Sequence, residues 1–169
     1  MGEGWGGDEN NRAFSVLATS LRRRGAIEQL FRTMKTDGFN IEAVRMENDT
    51  PREILATATL VVAVTIQQLV HARDGANEPR LRPLIDAFEP EDQPVLEAFC
   101  AQVEGKTQRQ KNPNPHGALA YASWVLARMG GWTGYYGKPG PIVMLRGWHK
   151  FQDAKYTINL MQNRADLGN

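Results

Sequence analysis

The chain has 169 residues, 41% of them hydrophobic and 23% charged, and 20 basic side chains against 19 acidic ones leave a net charge of +1. That balance excludes a uniformly basic, DNA-coating protein and describes an ordinary globular chain with one respectable core or two small ones. Cys100 is the only cysteine, which excludes an internal disulfide and any metal site of paired cysteines, so a reducing cytoplasm is the expected compartment.

Residues 1–12 are Gly-rich and polar, without the apolar stretch of a secretory signal, and are expected to be a disordered tail. A long helix is predicted from Ala13 to about Thr36, with Gly38 as its C-cap and Gly25 inside it. Gly25 costs that helix about 0.8–1 kcal/mol relative to Ala. A polar connector, 40–49, leads to Thr50-Pro51-Arg52-Glu53, a capping box with Pro at the first helical position. The second helix is predicted to run from there to about Arg73, ended by the Asp74-Gly75 turn signal. Its middle, Ile54–Val70, is the most apolar part of the chain. It is read as a buried core helix because Thr and Gln interrupt it and it falls short of the roughly 20 residues that span a bilayer. No membrane role is expected.

Further along, a short helix is predicted around Arg80–Phe88 and another from Glu91 to Val103. A basic loop, Gly105–Gly117, follows, because Asn112-Pro113-Asn114-Pro115 denies it regular structure. Helices are then predicted at Ala118–Met129, closed by Gly130-Gly131, and at Ile142–Gln162, with Pro141 at a first turn and a Gly- and Pro-rich segment between them. No alternating apolar run is long enough for a strand of a sheet, so the fold class is mainly α. Three units are expected: the tail 1–12, a part 13–75, and a part 76–169.

Charge is segregated along this plan. Residues 83–105 hold six acids and no Lys or Arg, after which Lys106, Arg109 and Lys111 come without an acid. Such patterning suits separate acidic and basic surfaces, the basic one for an anionic partner, although a solvated loop explains the three cations as well. The first helix carries the sharpest local pattern. Glu28 sits among Arg22, Arg23, Arg24, Arg32 and Lys35. At about 100° per residue, Arg24, Glu28, Arg32 and Lys35 share one face beside the apolar stripe Ile27, Leu30, Phe31 and Met34. A carboxylate within a basic strip suits phosphate chemistry; the same i, i+4, i+8 spacing also describes ordinary surface ion pairs.

In longer context, Arg24, Glu28 and Lys35 stand at the spacing Arg, three residues, Glu, six residues, Lys. The run Gly38-Phe-Asn-Ile-Glu-Ala-Val-Arg45 follows, and later Trp124-Val-Leu-Ala-Arg-Met-Gly-Gly-Trp-Thr-Gly-Tyr-Tyr-Gly-Lys-Pro-Gly-Pro141 leads on to Leu145-Arg-Gly147. Over roughly residues 21–160 the chain resembles the C-terminal part of bacterial insertion-sequence transposases of the cut-and-paste, Asp-Asp-Glu class. These have an RNase H-like catalytic fold and a Tyr-Arg-Glu-Lys signature. The resemblance implies that Glu28 is a catalytic residue and the third acidic metal ligand of a two-Mg²⁺ site. It implies that Arg24 and Lys35 hold transposon-end phosphates, and that the Gly-Gly-Trp-x-Gly-Tyr-Tyr region belongs to a helical part used for dimerisation. On that basis 13–75 is a remnant of the catalytic domain carrying the Glu helix, and 76–169 a dimerisation-like region.

The chain departs from that pattern in two ways. Leu21 occupies the signature Tyr position, and only Asp8 precedes Glu28, where relatives carry two catalytic Asp on strands. The expectation is therefore a truncated or degenerate transposase that holds no Mg²⁺ stably and does not cleave alone. Its expected partners are transposon-end DNA and either itself or a full-length transposase; the alternative is a regulatory role, inhibiting that transposase through mixed dimers. His71, His116 and His149 have no metal-ligand spacing. Trp124, Trp132, Tyr135, Tyr136 and Trp148 fit a core between two helices, a dimer surface, or base stacking.

Overall fold

The computed structural model describes residue 28, residues 49–73 and residues 81–166. Its helices are α1 (Asp49–Ala72), α2 (Asp92–Val103), α3 (Leu119–Met129) and α4 (Pro141–Asp166), with single 3₁₀ turns at Leu84–Asp86 and Gln108–Gln110. Among the described residues there is no β-strand, only an isolated bridge between Pro83 and Ala118. The fold is mainly α.

Helix α3 is the axis of the core. Its sequence, LAYASWVLARM, has one charge, and every residue except Arg128 is buried. A helix that is apolar all round has to be surrounded, and α1, α2, α4 and the Leu84–Asp86 turn all pack on it. Gly147 of α4 lies against the backbone of α3, where an added Cβ would run into the Leu126 carbonyl. Just past the end of α3, Gly130 is pressed in the same way against the Val143 carbonyl. These two glycines bring the helices closer than any side chain would allow. Ser123 joins three helices at one point: its hydroxyl donates to the Leu69 carbonyl of α1 at 2.7 Å and lies 3.9 Å from Met144 Sδ of α4.

Beside that crossing, Phe88, Phe99, Trp148 and Phe151 pack their rings at centroid distances of 5.6 to 6.5 Å. Phe88 and Phe151 meet edge to face, a favoured aromatic geometry. At the edge of this cluster the Lys155 ammonium of α4 lies 2.6 Å from Asp92 Oδ1 at the start of α2. The other Asp92 oxygen accepts the Glu89 N–H at 3.1 Å, so the buried carboxylate is held at both ends.

Several expectations need correcting. Of the helix predicted around Arg80–Phe88, the described residues from 81 on form only a single 3₁₀ turn, because residues 82 and 84 pair across the chain instead: Leu84 N–H donates to Gly117 O at 2.7 Å and Leu119 N–H to Arg82 O at 2.8 Å. Pro83, with no N–H, suits the extended position between them. Helix α1 begins at Asp49 rather than after Thr50, and α4 continues to Asp166, past Gln162. The apolar run of α1 is also longer than the sequence argument allowed: Glu53–Ala72 is 20 residues, long and apolar enough to cross a membrane by length and composition. Nor is α1 a fully buried core helix. Ala63, Ile66, Leu69, Val70 and Ala72 are buried, while Ile54, at 65% exposure, and Leu60, Val61 and Val64 face outward. The other helix boundaries agree with the sequence to within a residue. The expected tail 1–12 lies outside the described residues, as does the helix predicted over 13–36 apart from Glu28.

Candidate functional site

Of the residues singled out for DNA and metal chemistry, Glu28 is on helical backbone and exposed, while Arg24 and Lys35 lie outside the described residues. Among the described residues no three His, Cys, Asp or Glu side chains come together as an ion would require. One carboxylate supplies one or two of the roughly six oxygens that Mg²⁺ takes. The described residues therefore do not form the two-ion pocket that the resemblance implies.

The structure instead builds a concave site elsewhere, a cleft of about 330 Å³ where the end of α1, the 105–117 loop, α3 and the 132–140 segment meet. Among the described residues its charged lining is Arg73, Arg109, Lys111 and Lys138, with no Asp or Glu. Trp124 and Trp132 form its apolar wall.

Each wall has a local cause. The loop is fastened by its asparagines: Asn112 Nδ2 donates to the Tyr121 carbonyl at 3.1 Å and Asn114 Nδ2 to the Ala120 carbonyl at 3.2 Å, while Asn112 N–H donates to Glu104 Oε1 at 2.8 Å. The alternating prolines prevent this stretch from continuing a helix, and the asparagines fix it to the first turn of α3. Gln110 folds back on Thr107, accepting from its hydroxyl at 3.2 Å, and this 3₁₀ turn carries Arg109. On the opposite side, Gly131, Gly134 and Gly137 have φ of 99°, 85° and 60°, a left-handed region in which glycine avoids the Cβ penalty. That backbone curls around Trp132, whose indole N–H donates to the carbonyls of Tyr136 at 3.3 Å and Gly137 at 3.1 Å. Arg73 donates from Nη1 to the Pro139 carbonyl, fastening the end of α1 to the same segment.

Two cations of the C-terminal half are engaged internally. Arg128 donates to the Val103 carbonyl from Nε and Nη2, at 3.3 and 3.1 Å, and from Nη1 to the carbonyls of Trp132 and Thr133. Its guanidinium carbon lies 5.6 Å from the ring centroid of Trp124, within cation–π range. Lys150 Nζ donates to the Met129 carbonyl at 2.8 Å, satisfying an acceptor at the end of α3. A count of charges along the chain places both on a basic surface; three dimensions place them on backbone carbonyls.

The aromatic residues divide between the readings left open by the sequence. Trp124 is buried and Trp132 and Trp148 half-buried, as a core requires, whereas Tyr135 and Tyr136 are exposed, Tyr136 at 86%. Cys100 packs inside α2 with its sulfur 3.8 Å from Asn112 Nδ2. Burial pushes its thiol pKa up and likewise raises that of the Tyr121 phenol, so both are neutral near pH 7. His116 is a surface residue: its Nδ1 lies 3.1 Å from Glu97 Oε1, and its ring sits 4.6 Å from that of Tyr121. Gln93 also donates to Glu97, at 2.9 Å, and the hydrogen bonds from Gln93 and His116 hold the Glu97 carboxyl below its usual 4.5.

Sequence reasoning found Arg109 and Lys111 through their acid-free run, but it did not bring Arg73 or Lys138 to them, nor place two indoles between. The available signal was the pairing of a Pro/Asn loop with a Gly-rich turn at the two ends of one apolar helix. No protein-family model matches this chain, and no curated protein matches it.

Proposed function

We propose that this chain is a DNA-binding protein of the insertion-sequence transposase type. Glu28, Arg24 and Lys35 face transposon-end DNA, and the C-terminal helical part pairs with a second copy or with a full-length transposase. The observation that supports the first role is the exposed position of Glu28 on helical backbone. A carboxylate that meets a phosphodiester or a metal ion has to point outward, and a core position would have excluded the role. Arg24 and Lys35 contribute affinity and register through phosphate contacts, which carry no base specificity. Strand cleavage by two metal ions needs two further carboxylates beside Glu28, and the described residues do not supply them.

The outer half of α4 supports the second role. Beyond Phe151 the helix continues for about four turns, largely outside the core, with Tyr156, Leu160 and Met161 exposed. Exposed aromatic and large apolar side chains on one projecting helix are the kind of anchors that interfaces use. An origin in the RNase H-like class belongs to this proposal and rests on the sequence resemblance.

Salt-titrated binding to duplex DNA tests the reading. Arg24→Ala/Lys35→Ala is expected to weaken binding and to lower the salt slope by about 2, one for each cation withdrawn from the phosphates. An unchanged affinity and slope for the pair removes the phosphate assignment.

A further inference from the structure

We propose that the cleft between α1, the 105–117 loop and the 132–140 segment is a nucleotide-binding site, taking a phosphate on its cations and a base against Trp132. This goes beyond the DNA-facing role of the Glu28 helix and concerns different residues.

Charge is the first argument. The whole chain is almost neutral, yet among the described residues four cations and no carboxylate line one hollow. Arg109 and Lys111 stand exposed on the loop, and their like charges raise the local positive potential that an anion seated beside them would meet. The cations come from three separate stretches of chain, so the grouping is a product of folding rather than of a local run in the sequence.

The walls supply the second argument. A cleft built only for an anion has no use for large apolar surface, yet Trp124 and Trp132 lie in the same lining. Both rings are fixed before any ligand arrives, Trp132 through its two carbonyl partners and Trp124 within the core under Arg128. A fixed, half-buried indole face beside cations, as Trp132 provides, is the pairing that binds nucleotides by stacking and charge together, with little dependence on the base. An acidic peptide would meet the cations and leave the indoles unused.

Size narrows the ligand. About 330 Å³ is at the small end of ligand-binding clefts and is too little to admit a duplex. A free mononucleotide and one nucleotide of a single strand present the same phosphate and base, and the experiment separates them.

The test is calorimetric titration of the full chain at low salt with dTMP, a thymidine hexanucleotide, thymidine, inorganic phosphate and a glutamate hexapeptide. Saturable binding of dTMP or the hexanucleotide is expected, with thymidine, phosphate and the peptide each at least about tenfold weaker. Equal affinity for dTMP and the hexanucleotide identifies a free nucleotide as the ligand, and tighter binding of the hexanucleotide identifies a strand. Arg109→Ala/Lys111→Ala, on exposed loop positions that the core does not need, is expected to weaken binding about tenfold or more and to flatten its salt dependence. Trp132→Leu is expected to weaken dTMP more than inorganic phosphate. The proposal is overturned if neither nucleotide binds, if phosphate or the peptide binds as well as dTMP, or if the double variant binds like the parent. Such a failure would leave the reading of Arg24 and Lys35 untouched, because none of these probes or variants addresses them.

Discussion

Helices α1 and α3 are the two most apolar stretches among the described residues, and the structure treats them differently. Helix α3 is buried on every side except at Arg128, whereas α1 buries Ala63, Ile66, Leu69, Val70 and Ala72 and exposes Ile54, Leu60, Val61 and Val64. Their polar contents differ in the same sense. The one buried polar side chain of α3, Ser123, bonds across to α1, while α1 buries Thr59, which bonds back to its own Leu55 carbonyl, and Gln67. Apolar composition thus states that a helix prefers to leave water. How completely it does so depends on the number of neighbours that reach it, and α3 is reached from α1, α2 and α4.

The strongest way to break this arrangement is at the close approach of α3 and α4. Gly147→Val places a branched side chain against the Leu126 backbone, which cannot move aside without displacing a helix. A loss of about 3 kcal/mol or more is expected in urea unfolding, at the upper end for overpacked sites. The same exchange at an ordinary exposed helix position would be neutral or stabilising.

The next contrast sharpens the comparison directly. Leu126→Ala on α3 removes a fully buried side chain and is expected to cost about 2–5 kcal/mol. Val61→Ala on α1, where the parent side chain is 60% exposed, is expected to change stability by no more than about 0.5 kcal/mol. A comparable loss at Val61 would show that the outer face of α1 is covered in solution, and dilution of the protein would then separate a second copy from an internal cover.

The smallest effect concerns the rim where α2 meets the start of α3. Glu97 is held below its usual 4.5 by Gln93 and His116, so its folded-state pKa is lower than its unfolded one. The unfolded chain then binds more protons in that interval, and the stabilisation is present above about pH 4.5 and is lost as pH falls through the folded-state value. Glu97→Gln is expected to flatten the acid limb of a stability–pH curve by lowering the curve above about pH 4.5, where the carboxylate is charged, and leaving its most acidic end almost unchanged. An unaltered acid limb would show that the contacts with Gln93 and His116 contribute nothing.

Much of the helical plan was legible because its punctuation is chemical. Pro141 opens α4, Gly130-Gly131 closes α3, and Asn112-Pro113-Asn114-Pro115 forbids a helix, each through backbone constraints that act locally. The 3₁₀ turn at Leu84–Asp86 was not legible, since Arg82 and Leu84 pair with residues 117 and 119, a partnership that no local pattern announces. The same limit applied to the cleft. Arg109 and Lys111 were visible as a basic run, but nothing along the chain tells which cations of the C-terminal half the fold engages internally. Arg128 and Lys150 are taken up by the carbonyls of Val103, Trp132, Thr133 and Met129, which only the fold brings to them. The role of Gly147 was equally hidden, because a helix-weakening residue in α4 has meaning only once α3 lies against it.

The paired glycines at positions 130 and 147 also govern what happens far from them. With backbone resting on backbone at two points, α4 can neither slide along α3 nor roll about its own axis. Two missing methyl groups thereby set the heading of a spar whose outer end carries Tyr156, Leu160 and Met161. Any docking geometry at that end is decided about three turns back along the helix.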